Sequence, residues 1–388
     1  MRETDDDTGR RPRPRSVRAS RLRTMGRRRF VETLATAGFG GMAALLTADD
    51  VRAAGSDEVP IVYGFARDVE DGDEEGRFGP RKTTVPADWF ADLRAALDAH
   101  REAAFVSREG VVAAGVVPGE FGGRNAAVEV AARADVDLPE RVGDVSVEVT
   151  QVDPGRSAPS SVDPVESRSG TSVPGGVACG TPDSTGTLAP AMYDGRRPFF
   201  ATANHVVGGD KAERRGTSLR LVGKAASPRI GTVERGYALE DFVRVAPTDG
   251  YWPASAIRGA EPRTVVGQFS REGLATLKAQ GEKLAKVGVT TGRTRGKIQA
   301  IDGMTCAYGQ VCKRGQLKWG SQSAFDDGDS GSVNYHPDPV RPDAGVMVGG
   351  FNNARTWWPA EDYVWGTAAH HVTARHGFTF APRDAGAR

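Results

Sequence analysis

Ser323-Ala324-Phe325-Asp326-Asp327-Gly328-Asp329-Ser330-Gly331-Ser332-Val333-Asn334-Tyr335 sets one serine between an aspartate and a glycine, in a turn-rich run that gives way to β-branched and aromatic residues. Glycines at 328 and 331 open backbone angles closed to other residues, so the chain can bend sharply on both sides of Ser330. Such a bend can aim the N–H groups of Gly328 and Ser330 into one space. A serine hydroxyl is a weak nucleophile. Acyl transfer through it needs an imidazole base, a carboxylate that orients the base, and backbone donors for the oxyanion. The base and the carboxylate have to come from elsewhere in the chain.

His205 ends the strand-like run Arg197-Pro198-Phe199-Phe200-Ala201-Thr202-Ala203-Asn204-His205. The other five histidines, His100, His336, His370, His371 and His376, fall on helical patterns or in a Pro-containing turn. Asp241 opens the run Asp241-Phe242-Val243-Arg244-Val245. Glu240 is its neighbour, and because a strand alternates its side chains only one of the two can point at a given partner. Asp210 lies nearer to His205 in sequence, so the residues alone leave Asp241, Glu240 and Asp210 open as its partner.

Gly328-Asp329-Ser330-Gly331-Ser332 resembles the nucleophile motif of chymotrypsin/trypsin-like serine peptidases. Thr202-Ala203-Asn204-His205 resembles the histidine context of that family, and Asp241-Phe242-Val243 resembles its aspartate context. The order His205, Asp241, Ser330 is that of chymotrypsin and differs from that of subtilisins and α/β-hydrolases. The resemblance covers roughly residues 175–382. It implies Gly328 and Ser330 N–H groups as the oxyanion hole, and a substrate pocket with Ala324 at its base and Val348, Gly349 and Gly350 in its wall. The Gly/Thr-rich run Val287 to Ile298 looks like the hairpin that begins the second barrel in bacterial and archaeal relatives. Activated members of the family often pair the aspartate before the nucleophile with a new apolar N-terminus. No IVGG-like stretch occurs in this chain, so Asp329 needs another partner.

With 388 residues, 39% hydrophobic and 26% charged, the chain has ordinary globular composition and room for two domains. The first 54 residues hold 12 of its 51 Lys and Arg and 7 of its 50 Asp and Glu, which leaves the remainder at −4. A mildly acidic body excludes a general nucleic-acid-binding role, whose footprint is a basic face. The basic N-terminus, Gly26-Arg27-Arg28-Arg29-Phe30-Val31-Glu32 followed by the weakly apolar Thr33 to Ala48, resembles a twin-arginine export signal. Val51 and Ala53 suit cleavage before Ala54. That apolar run is rich in glycine and shorter than the roughly 20 residues of a spanning helix, so no stable membrane anchor is expected. Of the three cysteines, Cys306 and Cys312 bracket an interval that a hairpin can close, which makes them the expected disulfide and leaves Cys179 a buried thiol. The cysteines lack the spacing with histidine of a zinc site.

Four segments follow: 1–53 as signal, 57–153 as a small α+β domain, 154–176 as a Pro/Ser/Gly-rich linker, and 177–388 as the peptidase domain. Trp89, Phe90, Leu93, Leu97 and His100 recur at helical spacing, with Pro86 suited to the first turn. Beyond the linker, short apolar runs punctuated by glycine read as many short strands. Tyr363, Val364, Ala368 and Val372 read as one C-terminal helix ending near Gly377. The expected fold is mainly β, a chymotrypsin-like double β-barrel with a C-terminal helix behind a small α+β domain. The expected function is an exported serine endopeptidase that acts on protein or peptide substrates without metal or cofactor. A catalytically silent protease-like binding module, or an esterase on the same triad, would use the same residues.

Overall fold

The computed structural model describes residues 45–47, 49–50, 57–68, 76–133, 136–152, 170–208, 214–223, 227–306, 312–355 and 362–383. Most of the segment read as an export signal, the greater part of the segment read as a linker, and Asp210 lie outside the described residues. The N-terminal part forms β1 (Glu58–Arg67), β2 (Phe78–Pro86), α1 (Ala87–Ala103), β3 (Val111–Val117), β4 (Ala127–Ala132), β5 (Arg141–Val142) and β6 (Val145–Gln151). Trp89, Phe90, Leu93, Ala96, Leu97 and His100 make the buried stripe of α1. Proline at its N-terminal boundary loses no bond there, because the first amides of a helix have no partner within it.

Next come β7 (Ser172–Gly175), β8 (Ala178–Thr181), β9 (Ser184–Thr187), β10 (Met192–Asp194), β11 (Arg197–Thr202), β12 (Ser218–Leu221), β13 (Arg229–Tyr237), β14 (Phe242–Pro247) and β15 (Trp252–Ile257). Seven of these, in the order β10-β11-β14-β13-β12-β8-β9, form one antiparallel sheet. It rolls up when Ala189 N–H, just past β9, donates to Ala201 O on β11 at 2.9 Å. Phe200, Leu219, Ile230, Val243 and Val245 fill the inside of this first barrel together with Cys179. Burial pushes the Cys179 thiol up to about 12, so it stays protonated and packs as a small apolar group.

The remainder forms β16 (Val265–Phe269), α2 (Arg271–Ala279), β17 (Lys283–Gly288), β18 (Gly292–Thr305), β19 (Lys313–Trp319), β20 (Val333–Pro337), β21 (Val346–Phe351), β22 (Ala354–Arg355), β23 (Val364–Thr367) and α3 (Ala369–His376). Pairing runs β21-β20-β17-β18-β19-β23. The Gly350–Ala368 bridge then returns β23 to β21 and closes a second barrel. The mainly β double barrel with a C-terminal helix is therefore what this chain builds. Among the described residues no helix is long and apolar enough to cross a membrane.

Two features depart from the pattern of residues alone. Val364 to Thr367 form a strand paired with β19, and only Ala369–His376 is helical. Val364 and Trp365 have side chains suited to a pleated surface, and a Cβ at Gly366 would lie 1.8 Å from Phe351 O, so the chain can lie this close to β21 only as glycine. The second feature is that 58–152 shares the sheet of the second barrel. β1 pairs with β16 and β3 pairs with β18, and α1 packs into one core with Leu274, Ile298, Leu317, Trp319 and Phe325.

At that junction His100 of α1 and Asp302 of β18, which faces Arg271 at 3.5 Å, meet α2 and α3. Burial lowers His100, and lowers His370 to about 3. A histidine whose folded value lies below its unfolded value near 6.5 contributes stability above that pH, and the contribution is lost as pH falls toward 3. Glu272, raised to about 7 by burial, has the opposite sign and contributes most below its unfolded value near 4.5. The melting temperature should fall between pH 6.5 and 4, and His370→Asn should flatten that fall. A thermal-melt series in which wild type and variant follow one curve would rule out His370 as a cause.

Candidate active site

Asp241 closes the hairpin between β13 and β14, where Tyr237 and Phe242 face each other. Its φ of 51 puts it in the left-handed region, which aspartate enters more readily than most residues but still at a cost. The bend turns its carboxylate onto the short 3-10 turn Asn204–Val207. His205 donates its backbone N–H to Asp241 Oδ1 at 3.2 Å. Its ring Nδ1 lies 3.0 Å from Oδ2 and 3.2 Å from Oδ1. Asp241 is 1% exposed, whereas the His205 side chain is 40% exposed, so the imidazole presents its far edge outward from a buried anchor.

A third group reaches this carboxylate. Lys313 Nζ, at the start of β19, donates to Asp241 Oδ2 at 2.6 Å. Burial pushes the Asp241 carboxyl up, and the charges of His205 and Lys313 with their hydrogen bonds more than offset it, holding it well below the usual range. The carboxylate is ionised throughout the neutral range.

The Ser330 loop belongs to the second barrel and docks against the first. Thr187 at the end of β9 donates its N–H to Ser330 O at 2.8 Å and its hydroxyl to Gly328 O at 2.8 Å. Gly331, at φ 90, could not be any other residue: a Cβ there would lie 2.2 Å from Thr202 Oγ1 and 2.7 Å from Ala203 N. The glycine after Ser330 thus lets the loop lie on the strand end that carries His205. Ser330 is 7% exposed, and its Oγ faces Asn353 O at 3.5 Å. Asp329, Gly331 and Ser332 donate their N–H groups to Asp326 O, Asn352 O and Asp329 O at 2.9, 2.9 and 3.0 Å. For the N–H groups of Gly328 and Ser330 there is no such acceptor among the described residues. Two amides left open beside a serine hydroxyl have the chemistry to receive an oxyanion.

Asp329 has the partner that its motif lacks in sequence. Lys286 Nζ on β17 donates to its Oδ2 at 2.7 Å, with both side chains at 0% exposure. Thr291 Oγ1 donates to Oδ2 at 2.6 Å, and the Thr290 and Thr291 N–H groups donate to Oδ1 at 2.9 and 3.2 Å. Burial draws the Lys286 ammonium below its ordinary value, against the pull of Asp329.

Of the pocket residues read from sequence, Ala324 is buried three residues beyond Ser321 in the turn that precedes the Ser330 loop, and its carbonyl accepts from Thr294 Oγ1 at 2.8 Å. Val348, Gly349 and Gly350 lie in β21. Gly349 stands against Asn334 and Gly350 against Thr367 and Ala368, which are second-barrel neighbours. The chain reaches Ser330 further along, at Asn353, and Arg355 lies two residues on. There Arg355 pairs with Asp326 at 2.8 Å and donates to Phe325 O at 3.3 Å. Glu240 turns away from His205 to α3, where Arg375 meets it at 2.8 Å, His376 at 3.4 Å and His371 at 3.9 Å. Cys306 and Cys312 form a disulfide.

Lys313, Lys286 and Asn353 are absent from a reading of sequence motifs. Lys286 left a trace, as a lysine on the same strand face as Leu284, which is also fully buried. Lys313 left none, since 72 residues separate it from Asp241.

No family model matches the chain, and no curated protein does. Solved structures with similar folds include a glutamic acid specific serine protease that uses a histidine triad in substrate binding, at 19% identity over 53% of this chain and 99% of that one, TM-score 0.39. Others are Thermobifida fusca protease A, at 17% over 55% and 100%, TM-score 0.38, and Cellulomonas bogoriensis chymotrypsin, at 18% over 53% and 97%, TM-score 0.37.

Proposed function

We propose that this chain is an exported serine endopeptidase. One observation carries it: a buried, ionised Asp241 holds the Nδ1 edge of a half-exposed His205, on a first-barrel strand end against which the Ser330 loop docks. With Asp241 accepting from Nδ1–H, the tautomer leaves Nε2 as the base. His205 Nε2 takes the Ser330 proton as Oγ attacks a peptide carbonyl, and the Gly328 and Ser330 amides receive the oxyanion. His205 then returns the proton to the leaving amine. Water repeats the cycle on the acyl-enzyme, with His205 again the base. No metal or cofactor enters. The Arg-rich N-terminus supports passage out of the cytoplasm, and the Cys306–Cys312 disulfide suits an oxidising compartment.

A fluorophosphonate probe tests this directly. Mass spectrometry of the labelled protein should place the adduct on Ser330, Ser330→Ala should remove it, and the labelled protein should lose peptide hydrolysis. Folded protein that takes no label would overturn the peptidase in favour of a binding module. Label with ester but no peptide turnover would make it an esterase.

A further inference from the structure

Lys313 is the feature of the site that the catalytic cycle does not use. It is delivered from the second barrel to a carboxylate of the first, and its side chain is 12% exposed. Three constraints fix the place from which it reaches. Lys313 pairs with Thr305 across the β18–β19 ladder. One residue outward on each strand, Cys306 and Cys312 are covalently joined. On the other side of β18, Cys306 N–H donates to Val112 O at 2.8 Å and Thr305 pairs with Ala113 of β3. The N-terminal segment, the disulfide and the hairpin thus brace one lysine.

We infer that Lys313 is a positioning residue of the catalytic base: it holds the Asp241 carboxylate in place and sets the pH at which His205 becomes competent. This rests on the peptidase reading for its meaning in turnover, and on geometry alone for the coupling between Lys313 and His205. Asp241 offers two oxygens. Oδ1 accepts from the His205 backbone and ring, while Oδ2 is shared between the ring and Lys313. An ammonium on Oδ2 restrains rotation of the carboxylate and neutralises part of the charge that would otherwise favour imidazolium. Two unit charges about 6 Å apart at an effective dielectric near 20 interact strongly enough to move a titration by about one pH unit or more. The neutral imidazole, the form that can accept a proton from Ser330, therefore persists to lower pH than an Asp–His pair alone would allow.

Among the described residues, two other acids of the site have partners of their own. Glu240 turns to Arg375, His376 and His371 on α3, and Asp329 across the nucleophile loop bonds to Lys286. Among the described residues Lys313 is the lysine or arginine paired with Asp241.

The test is a titration of His205 by NMR on protein labelled at histidine nitrogen, run beside the pH profile of kcat/KM. In Lys313→Met the His205 midpoint and the acid limb of the profile should both move up by about one pH unit, with KM changed less than about twofold. Lys313→Arg should return both to wild type. Should Lys313→Met fail to fold, Lys313→Gln keeps a donor to Asp241 without charge and should show the same upward shift. Replacing both Cys306 and Cys312 by serine should shift the midpoint in the same direction by a smaller amount. An unmoved midpoint in the uncharged variants overturns the inference, as does a shift that arginine fails to reverse. If wild type shows neither label nor turnover but the midpoint still moves, the peptidase reading falls and the coupling stands.

Discussion

His205→Ala is expected to lower kcat for peptide hydrolysis about a millionfold, and Asp241→Asn roughly ten-thousandfold, with KM changed only a few-fold. The two values differ because the residues act at different removes. Alanine at 205 abolishes proton transfer altogether, and what remains is binding and the open amides of Gly328 and Ser330. Asparagine at 241 leaves an imidazole that is held in the wrong way. Every group that meets Asp241 is a donor: the His205 backbone and ring, and Lys313 on Oδ2. A carboxamide has one oxygen to offer them. Turned so that its oxygen meets the backbone N–H, it sets its NH2 against Lys313; turned the other way, it sets NH2 against the backbone N–H. Where the NH2 also meets Nδ1, the ring proton moves to Nε2 and the base is lost. Steady-state kinetics on folded variants checks both values. An Asp241→Asn enzyme that kept more than about a tenth of wild-type kcat would mean that Asp241 does not orient the base.

The residues proposed to carry chemistry could be picked out because each lies in a short local signal. Ser330 sits between glycines whose backbone angles only glycine tolerates, His205 at the end of an apolar strand, Asp241 at the mouth of another. The pattern Asp241-Phe242-Val243 favours Asp241 over Glu240, and the two side chains do part company, one to His205 and the other to α3. Both sit in the turn between β13 and β14, so the turn and not strand alternation separates them. What stayed hidden depends on distant pairings. Nothing in Lys313 announces a partner on another barrel, and nothing in Val111–Val117 says that its edge will meet β18. Val364 to Thr367 misled in a different way, because apolar residues spaced as on a helix also suit a fully buried strand, and only the ladder to β19 separates the two. Of Val348, Gly349 and Gly350, read as a pocket wall, the two glycines face second-barrel neighbours for a related reason. Which residue comes beside Ser330 depends on where the strand leaves the barrel, and there it is Asn353.

Lys286→Met should cost about 3–5 kcal/mol of stability, because it strands the Asp329 charge in a site closed to water. The cost does not mean that the pair itself is stabilising. Burial draws the Lys286 ammonium below its ordinary value in spite of Asp329, so placing a lysine there is costly, and removing it is costlier still. Hydrogen bonds from Thr290, Thr291 and Asp326 N–H to the carboxylate should keep the loop from collapsing but cannot neutralise it. The melting temperature should fall on the order of 10 °C. Added salt should not restore it, since buried charges are poorly screened. Exposed Arg101, paired with Asp98 at 3.2 Å on α1, is the control: Arg101→Ala should cost under about 0.5 kcal/mol. Activity should suffer beyond stability. Asp329 sits between Gly328 and Ser330, so a loosened carboxylate misplaces both amides, and kcat should drop by roughly two orders of magnitude at temperatures where the variant is still folded. Because the ammonium comes from β17, the loop should also reach its working shape with the chain uncut. Protein still carrying residues 57–153 should take the fluorophosphonate label at Ser330. Labelling that began only after a cleavage had freed a new N-terminus would show that Lys286 alone does not hold Asp329 in place.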